Sequence, residues 1–193
     1  MAAKKSLIMY ASLTGNTEKV AYRFKKVFEK KGWTVDMWKV DNDTDTENPE
    51  YDIKKYDFLC VGSPILHKWP VPKVISLLSV PPPGFSKNGP PPAGGHPPAV
   101  GHEAKIIFKP DTMKGIAFCT YGGIHLGPKE CEPAIAYISL IMEHIPCQVL
   151  GRFASPGKYA ENTGWYQDLP ERPNARDLKK AETFLEETLE DME

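Results

Sequence analysis

Short apolar runs alternate with stretches of helical period along most of the chain. Residues 6–11, which include Leu7-Ile8-Met9-Tyr10-Ala11, predict a first strand. Val20, Phe24, Val27 and Phe28 then recur at helical spacing between Thr17 and Lys31, and Gly32 suits the left-handed stop of a helix. Residues 34–40 alternate weakly and predict a second strand. Phe58-Leu59-Cys60-Val61-Gly62 is an unbroken apolar run, as in a strand covered on both faces. Residues 72–78 predict a short helix, 116–119 a fourth strand, and Ala134, Ile135, Ile138, Met142 and Ile145 the next helix. Residues 148–153 predict the last strand, and Leu178, Ala181, Leu185 and Met192 mark the core side of a closing helix over 174–192.

Strands in such alternation with helices specify an α/β fold, a parallel sheet between two helical layers joined by right-handed crossovers. In these sheets ligands sit beyond the carboxyl ends of the strands, near the point where the strand order reverses. Loops 12–17, 63–71, 120–130 and 154–170 are therefore the places to look for a site. One stretch breaks the pattern. Residues 80–103 hold Pro81-Pro82-Pro83, Pro90-Pro91-Pro92 and Pro97-Pro98 with several glycines, a composition that favours extended chain over any regular element. It reads as a surface insertion within a single domain spanning 1–193, whether cover, partner contact or solvated linker.

Composition narrows the class. A chain of 193 residues forms one domain with a substantial core, and 41% hydrophobic with 25% charged residues is ordinary for a globular protein. A formal net charge of −1 gives no electrostatic case for nucleic acid. No run is long enough to span a bilayer, and the apolar run after Lys4-Lys5 is too short for a signal peptide, so the cytoplasm is the expected compartment. Cys60, Cys119, Cys131 and Cys147 lack CxxC spacing, which points to buried reduced thiols without a disulfide or a metal.

The richest chemistry lies in Ser12-Leu13-Thr14-Gly15-Asn16-Thr17, between the first strand and the first helix. The leading N–H groups of a helix have no intrahelical partner and carry its positive dipole end, so this turn is an anion site in outline. Ser12, Thr14 and Thr17 add hydroxyls, Asn16 an amide, and Gly15 a tight turn. The same residue types also cap helices that bind nothing. A phosphate-binding Walker loop would need Gly-Lys-Ser/Thr and a dinucleotide fingerprint three spaced glycines, and neither is present. Neutral donors alone suit a phosphate monoester that stays bound.

Read with two further segments, the loop resembles the FMN-phosphate loop of the flavodoxin superfamily. Gly62-Ser63-Pro64 resembles the start of that family's first isoalloxazine loop, and Thr120-Tyr121-Gly122-Gly123 is similar to its second. The resemblance implies a flavodoxin-like three-layer sandwich, a five-stranded parallel sheet in the order 2-1-3-4-5, and non-covalent FMN. It implies that Ser12, Thr14, Asn16 and Thr17, with the amides from Leu13 through Gly15 to Thr17, hold the phosphate. Ser63 and Pro64 would shape one flank of the ring, with Trp69 either stacked on it or packed beside Pro70 and Pro72. Thr120, Tyr121, Gly122 and Gly123 would line the other flank.

His67 and His125 stand in the two ring loops, as solvent-exposed residues or as proton donors to a reduced flavin. Tyr159, Trp165 and Tyr166 either roof the ring edge or pack their loop onto the body. Loops 63–71 and 121–128 contain no Asp or Glu but do contain Lys68, and 63–70 has neither Gly nor Asn. The expectation is an FMN-binding redox protein passing electrons between a reductant and an acceptor, either a partner protein or a small molecule, with a homodimer left open. The alternative is an FMN-dependent two-electron NAD(P)H:quinone-type reductase.

Overall fold

Leu7, Ile8 and Met9 expose no surface, so neighbouring residues of the first strand are buried on opposite faces. That strand, β1 (Lys5–Ala11), must therefore lie between two covering layers. The computed structural model describes residues 3–78, 112–122, 126–145, 147–158 and 171–192. The Pro-rich insertion at 80–103 lies outside the described residues. Four parallel strands join β1: β2 (Thr34–Val40), β3 (Phe58–Leu66), β5 (Met113–Tyr121) and β6 (Cys147–Pro156). A two-residue strand, β4 (Trp69–Pro70), folds back antiparallel on β3. The order β2-β1-β3-β5-β6 is the expected 2-1-3-4-5 once β4 is set aside.

Helices α1 (Asn16–Lys30) and α4 (Ala175–Glu190) cover one face. Val20, Ala21, Phe24, Val27 and Phe28 of α1 meet Ile8, Tyr10, Phe58, Cys60, Ile116 and Phe118 from the sheet. Phe24 packs edge-on against Phe118, with centroids 5.1 Å apart. Truncating a ring so enclosed typically costs about 3–5 kcal/mol. Helices α2 (Pro72–Leu78) and α3 (Glu132–His144) cover the other face, where Val74, Leu78, Ile138 and Met142 meet Leu7, Met9, Leu59 and Ala117. Helix α4 starts at Asn174, whose side chain accepts from the Arg176 and Asp177 amides while Asp177 accepts from the Asn174 amide. This reciprocal cap fixes where the helix begins.

All four cysteines are buried and free. Burial pushes the Cys60 and Cys119 thiols well above their ordinary values. Among the described residues, no helix is long and apolar enough to cross a membrane.

The strands run longer than the apolar runs alone predict. β3 continues through Ser63 and Pro64 to Leu66, and residues 63–71 form a hairpin rather than an open loop. Its turn is His67-Lys68, both in left-handed backbone at φ 48 and φ 72. Two positive φ values in a two-residue turn match the twist of the strands, which is why such turns ordinarily carry Asn-Gly or Gly-Gly. The missing signature hid the hairpin.

Candidate functional site

The cradle between β1 and α1 begins with Gly15, at φ 79 in left-handed backbone, a conformation glycine adopts without the Cβ penalty. The first turn of α1 is secured by the Lys19 amide donating to the Gly15 carbonyl at 3.0 Å. The Glu18 amide donates to Ser12 Oγ at 3.2 Å. Asn16 Nδ2 donates to Thr14 Oγ1 at 2.8 Å. Ser12 and Thr14 each accept one of these N–H groups, which leaves each hydroxyl proton free to point into the cradle. Among the described residues, no acceptor engages the amides of Leu13, Thr14 or Gly15. The nearest carboxylate in sequence is turned away, because Glu18 Oε1 takes the Tyr10 hydroxyl at 3.0 Å and the Lys39 ammonium at 3.1 Å. What remains in the cradle is a set of donors.

Two expected phosphate donors work inside the protein instead of facing outward. Thr17 is fully buried, with Oγ1 hydrogen-bonded to Thr120 Oγ1 at 2.8 Å. Asn16 is 7% exposed and spends its second N–H on the Lys158 carbonyl at 2.8 Å. Both contacts tie the start of α1 to chain far away in sequence, at the carboxyl ends of β5 and β6.

The β6 side closes the cradle with residues that periodicity did not single out. The Gly157 amide donates to the Tyr121 carbonyl at 2.7 Å, and the Lys158 amide to the Arg172 carbonyl at 2.9 Å. Lys19 pairs with Glu171 at 3.0 Å. Arg172 forms a two-pronged pair with Asp177, its Nη2 donating to Oδ1 at 2.6 Å and its Nε to Oδ2. Burial raises the Asp177 carboxyl, but the hydrogen bonds from Arg172 and the Asn174 amide outweigh it and hold the group below its ordinary value. Apart from Asp177, which also closes the cap of α4, these residues belong to no local motif, so only the three-dimensional closure reveals them.

On the ring side, Ser63 is fully buried and pins the hairpin base. It accepts the Val71 amide at 2.8 Å and donates to the Pro64 carbonyl at 2.7 Å. Trp69 is 57% exposed and meets Tyr137 of α3 edge-on, with centroids 6.0 Å apart and rings at 88°. Tyr121, by contrast, is 8% exposed, and burial pushes its phenol up. Thr120 is buried and Gly122 half-buried. Gly123 and His125, like Tyr159, Trp165 and Tyr166, lie outside the described residues. The structure thus brings 12–17, 120–122 and 157–158 together, while the 63–71 hairpin stands with Trp69 over α3.

The flavodoxin family model matches residues 8–64, from β1 through most of β3. A search of characterised protein sequences finds no match. Among solved structures, a flavodoxin from the domain Archaea is 16% identical, with a TM-score of 0.55 over 97% of this chain and 98% of its own. Oxidised flavodoxin 2 from Bacillus cereus is 14% identical, with a TM-score of 0.58 over 97% and 99%. The flavodiiron core from Synechocystis is 14% identical, with a TM-score of 0.59 over 98% of this chain but 36% of its own. At these identities the structures share the fold, and the family match adds the sequence of its first strands and helix. The whole chain has the flavodoxin-like fold, and its residues 8–64 match the flavodoxin family model.

Proposed function

We propose that the protein binds FMN and passes electrons between a reductant and an acceptor, either a redox partner protein or a small molecule. The observation that carries the reading is the cradle of donors: amides at 13–15 that meet no acceptor among the described residues, the hydroxyls of Ser12 and Thr14 left as donors, and Glu18 turned away. A phosphate dianion matches such a set, since it only accepts hydrogen bonds and favours a helix N-terminus. The ring of the same ligand would lie between the 63–71 hairpin and residues 120–122, flanked by Pro64 and Trp69 on one side and by Thr120, Tyr121 and the Gly122-Gly123 backbone on the other. FMN, when bound, supplies the capacity to take up and release electrons, and the protein's part is to bind it, orient it and set the charge around it. Ser63 keeps the hairpin base rigid, and Thr17 with Thr120 keeps the cradle and the second ring loop in register.

A second reading is favoured by the charge of the hairpin. Residues 63–71 include Lys68 but no Asp or Glu, so an anionic nicotinamide dinucleotide would approach without repulsion. That reading is an FMN-dependent NAD(P)H:quinone-type reductase. The cytoplasm is the compartment proposed for either.

Flavin-free protein titrated with FMN should shift the visible flavin spectrum at one equivalent, and an unchanged spectrum would sink both readings. Sustained NAD(P)H oxidation by the loaded protein with a quinone would replace the electron carrier by the reductase.

A further inference from the structure

We propose that the side chain of Asn16 positions the cradle rather than binding the phosphate, and that Gly157 is the residue whose lack of a side chain its position requires. The inference rests on the FMN reading for its functional consequence and on hydrogen bonds and steric distances for its geometry. A backbone carbonyl can only accept, so the nitrogen of the Asn16 carboxamide must face Lys158 O. That nitrogen has two protons. One goes to Lys158 O and the other to Thr14 Oγ1, both at 2.8 Å. No side-chain donor of Asn16 is left for an anion.

What the carboxamide does instead is hold two parts of the cradle at once. It occupies an acceptor site of Thr14, so that the Thr14 proton turns outward as a fixed donor. It also clasps the start of α1 to the chain leaving β6. That chain is anchored in turn, the Gly157 amide to Tyr121 of β5 and the Lys158 amide to Arg172 ahead of α4. Gly157 offers an anion nothing itself, because it has no side chain and its N–H is already taken. Its part is steric. A Cβ there would lie 2.7 Å from Asn16 Nδ2, 2.9 Å from its Cγ and 3.0 Å from its Cβ. Separations under 3.0 Å force atoms apart, and here the atom that must give is the end of the clasp.

A double-mutant cycle over Asn16→Ala and Gly157→Ala tests this, read on FMN affinity, riboflavin affinity and the melting temperature of flavin-free protein. Gly157→Ala should weaken FMN about tenfold, a coupling of ordinary size for residues in contact, while riboflavin, which lacks the phosphate, changes by less than about threefold. Introduced into Asn16→Ala, the same substitution should change FMN affinity by less than about threefold, because the carboxamide it displaces is already gone. Melting temperatures of the flavin-free proteins should show the same non-additivity.

FMN affinity within about twofold of wild type in Gly157→Ala would overturn the proposal, as would losses that multiply in the double variant. Should Gly157→Ala fail to fold, recovery on adding Asn16→Ala supports the clasp, and continued misfolding overturns it. Wild-type protein that binds no FMN would defeat the reading of function instead. The melting cycle then still decides the clasp, with additive losses overturning it.

Discussion

The two sides of the site are built on opposite principles. At the cradle, polar side chains are consumed in fixing one another: Ser12 on the Glu18 amide, Asn16 on Thr14 and Lys158, Thr17 on Thr120. At the hairpin, two residues without the freedom of glycine sit at φ 48 and φ 72 and carry an exposed Trp69 and a 42%-exposed Leu66. The first side is over-determined and the second holds local strain. Left-handed backbone costs an ordinary residue roughly 1–2 kcal/mol, and such conformations persist where the surrounding structure or a ligand compensates. The difference suggests a division of labour in which the cradle fixes where a ligand binds and the hairpin adjusts to what binds.

The largest expected effect breaks the cradle. Ser12→Ala with Thr14→Ala removes both hydroxyl donors, each worth about 1.5–3 kcal/mol against a charged acceptor. FMN affinity should therefore fall by at least about a hundredfold while riboflavin affinity stays nearly constant. Isothermal titration with both flavins decides it, and equal losses would place the phosphate elsewhere.

A smaller effect concerns the anchor behind the cradle. Asp177 is 4% exposed, paired with Arg172, and its carboxyl is held below its ordinary value. A group whose folded pKa is depressed contributes stability above the unfolded pKa, near 3.9, and loses that stability as pH falls through the folded value. Asp177→Asn keeps the shape and removes the charge. It should lower stability at pH 7 by about 1–3 kcal/mol, with the gap to wild type narrowing as the pH falls below about 4. Urea denaturation at pH 7 and pH 3 measures it, and a gap independent of pH would show that the charge pair contributes nothing.

How much of this was legible in the sequence follows from the range of the interactions. The parallel sheet between two layers was readable because the runs in β1 and β3 are apolar enough to demand cover on both faces, while its strand order came from the resemblance. The loop of the cradle was readable because Ser12 to Thr17 lie within six positions of one another. The clasp was not, since Asn16 and Lys158 are 142 residues apart and nothing near Lys158 marks it as a partner of the cradle. Thr17 and Thr120 were both singled out, but nothing local says that their hydroxyls face each other. The hairpin went unread for a different reason. His67-Lys68 occupies a turn whose usual composition is Asn and Gly, so the local signal contradicts the structure, as it does where a site stores strain.

That contradiction can be sharpened by removing the strain. Lys68→Gly with His67→Asn restores the residues the turn ordinarily takes and should stabilise the flavin-free protein by about 1 kcal/mol. If the hairpin adjusts on binding, the same change alters flavin affinity although neither backbone atom set is lost. Thermal melts and FMN titration together test it. A variant no more stable than wild type would mean that the left-handed turn is not strained.

The smallest expected effect on stability comes from Trp69. With 57% of its surface exposed and one edge-on contact to Tyr137, it buries too little for its loss to matter much, and Trp69→Ala should change flavin-free stability by at most about 0.5 kcal/mol. An aromatic ring lying on a flavin, however, buries apolar area and quenches its emission. If Trp69 serves the ligand rather than the core, the near-neutral change in stability should be accompanied by recovered fluorescence of bound FMN. The two readouts separate the roles: a large loss of stability with emission unchanged would make Trp69 a structural brace on α3, and the hairpin side would then resemble the cradle side after all.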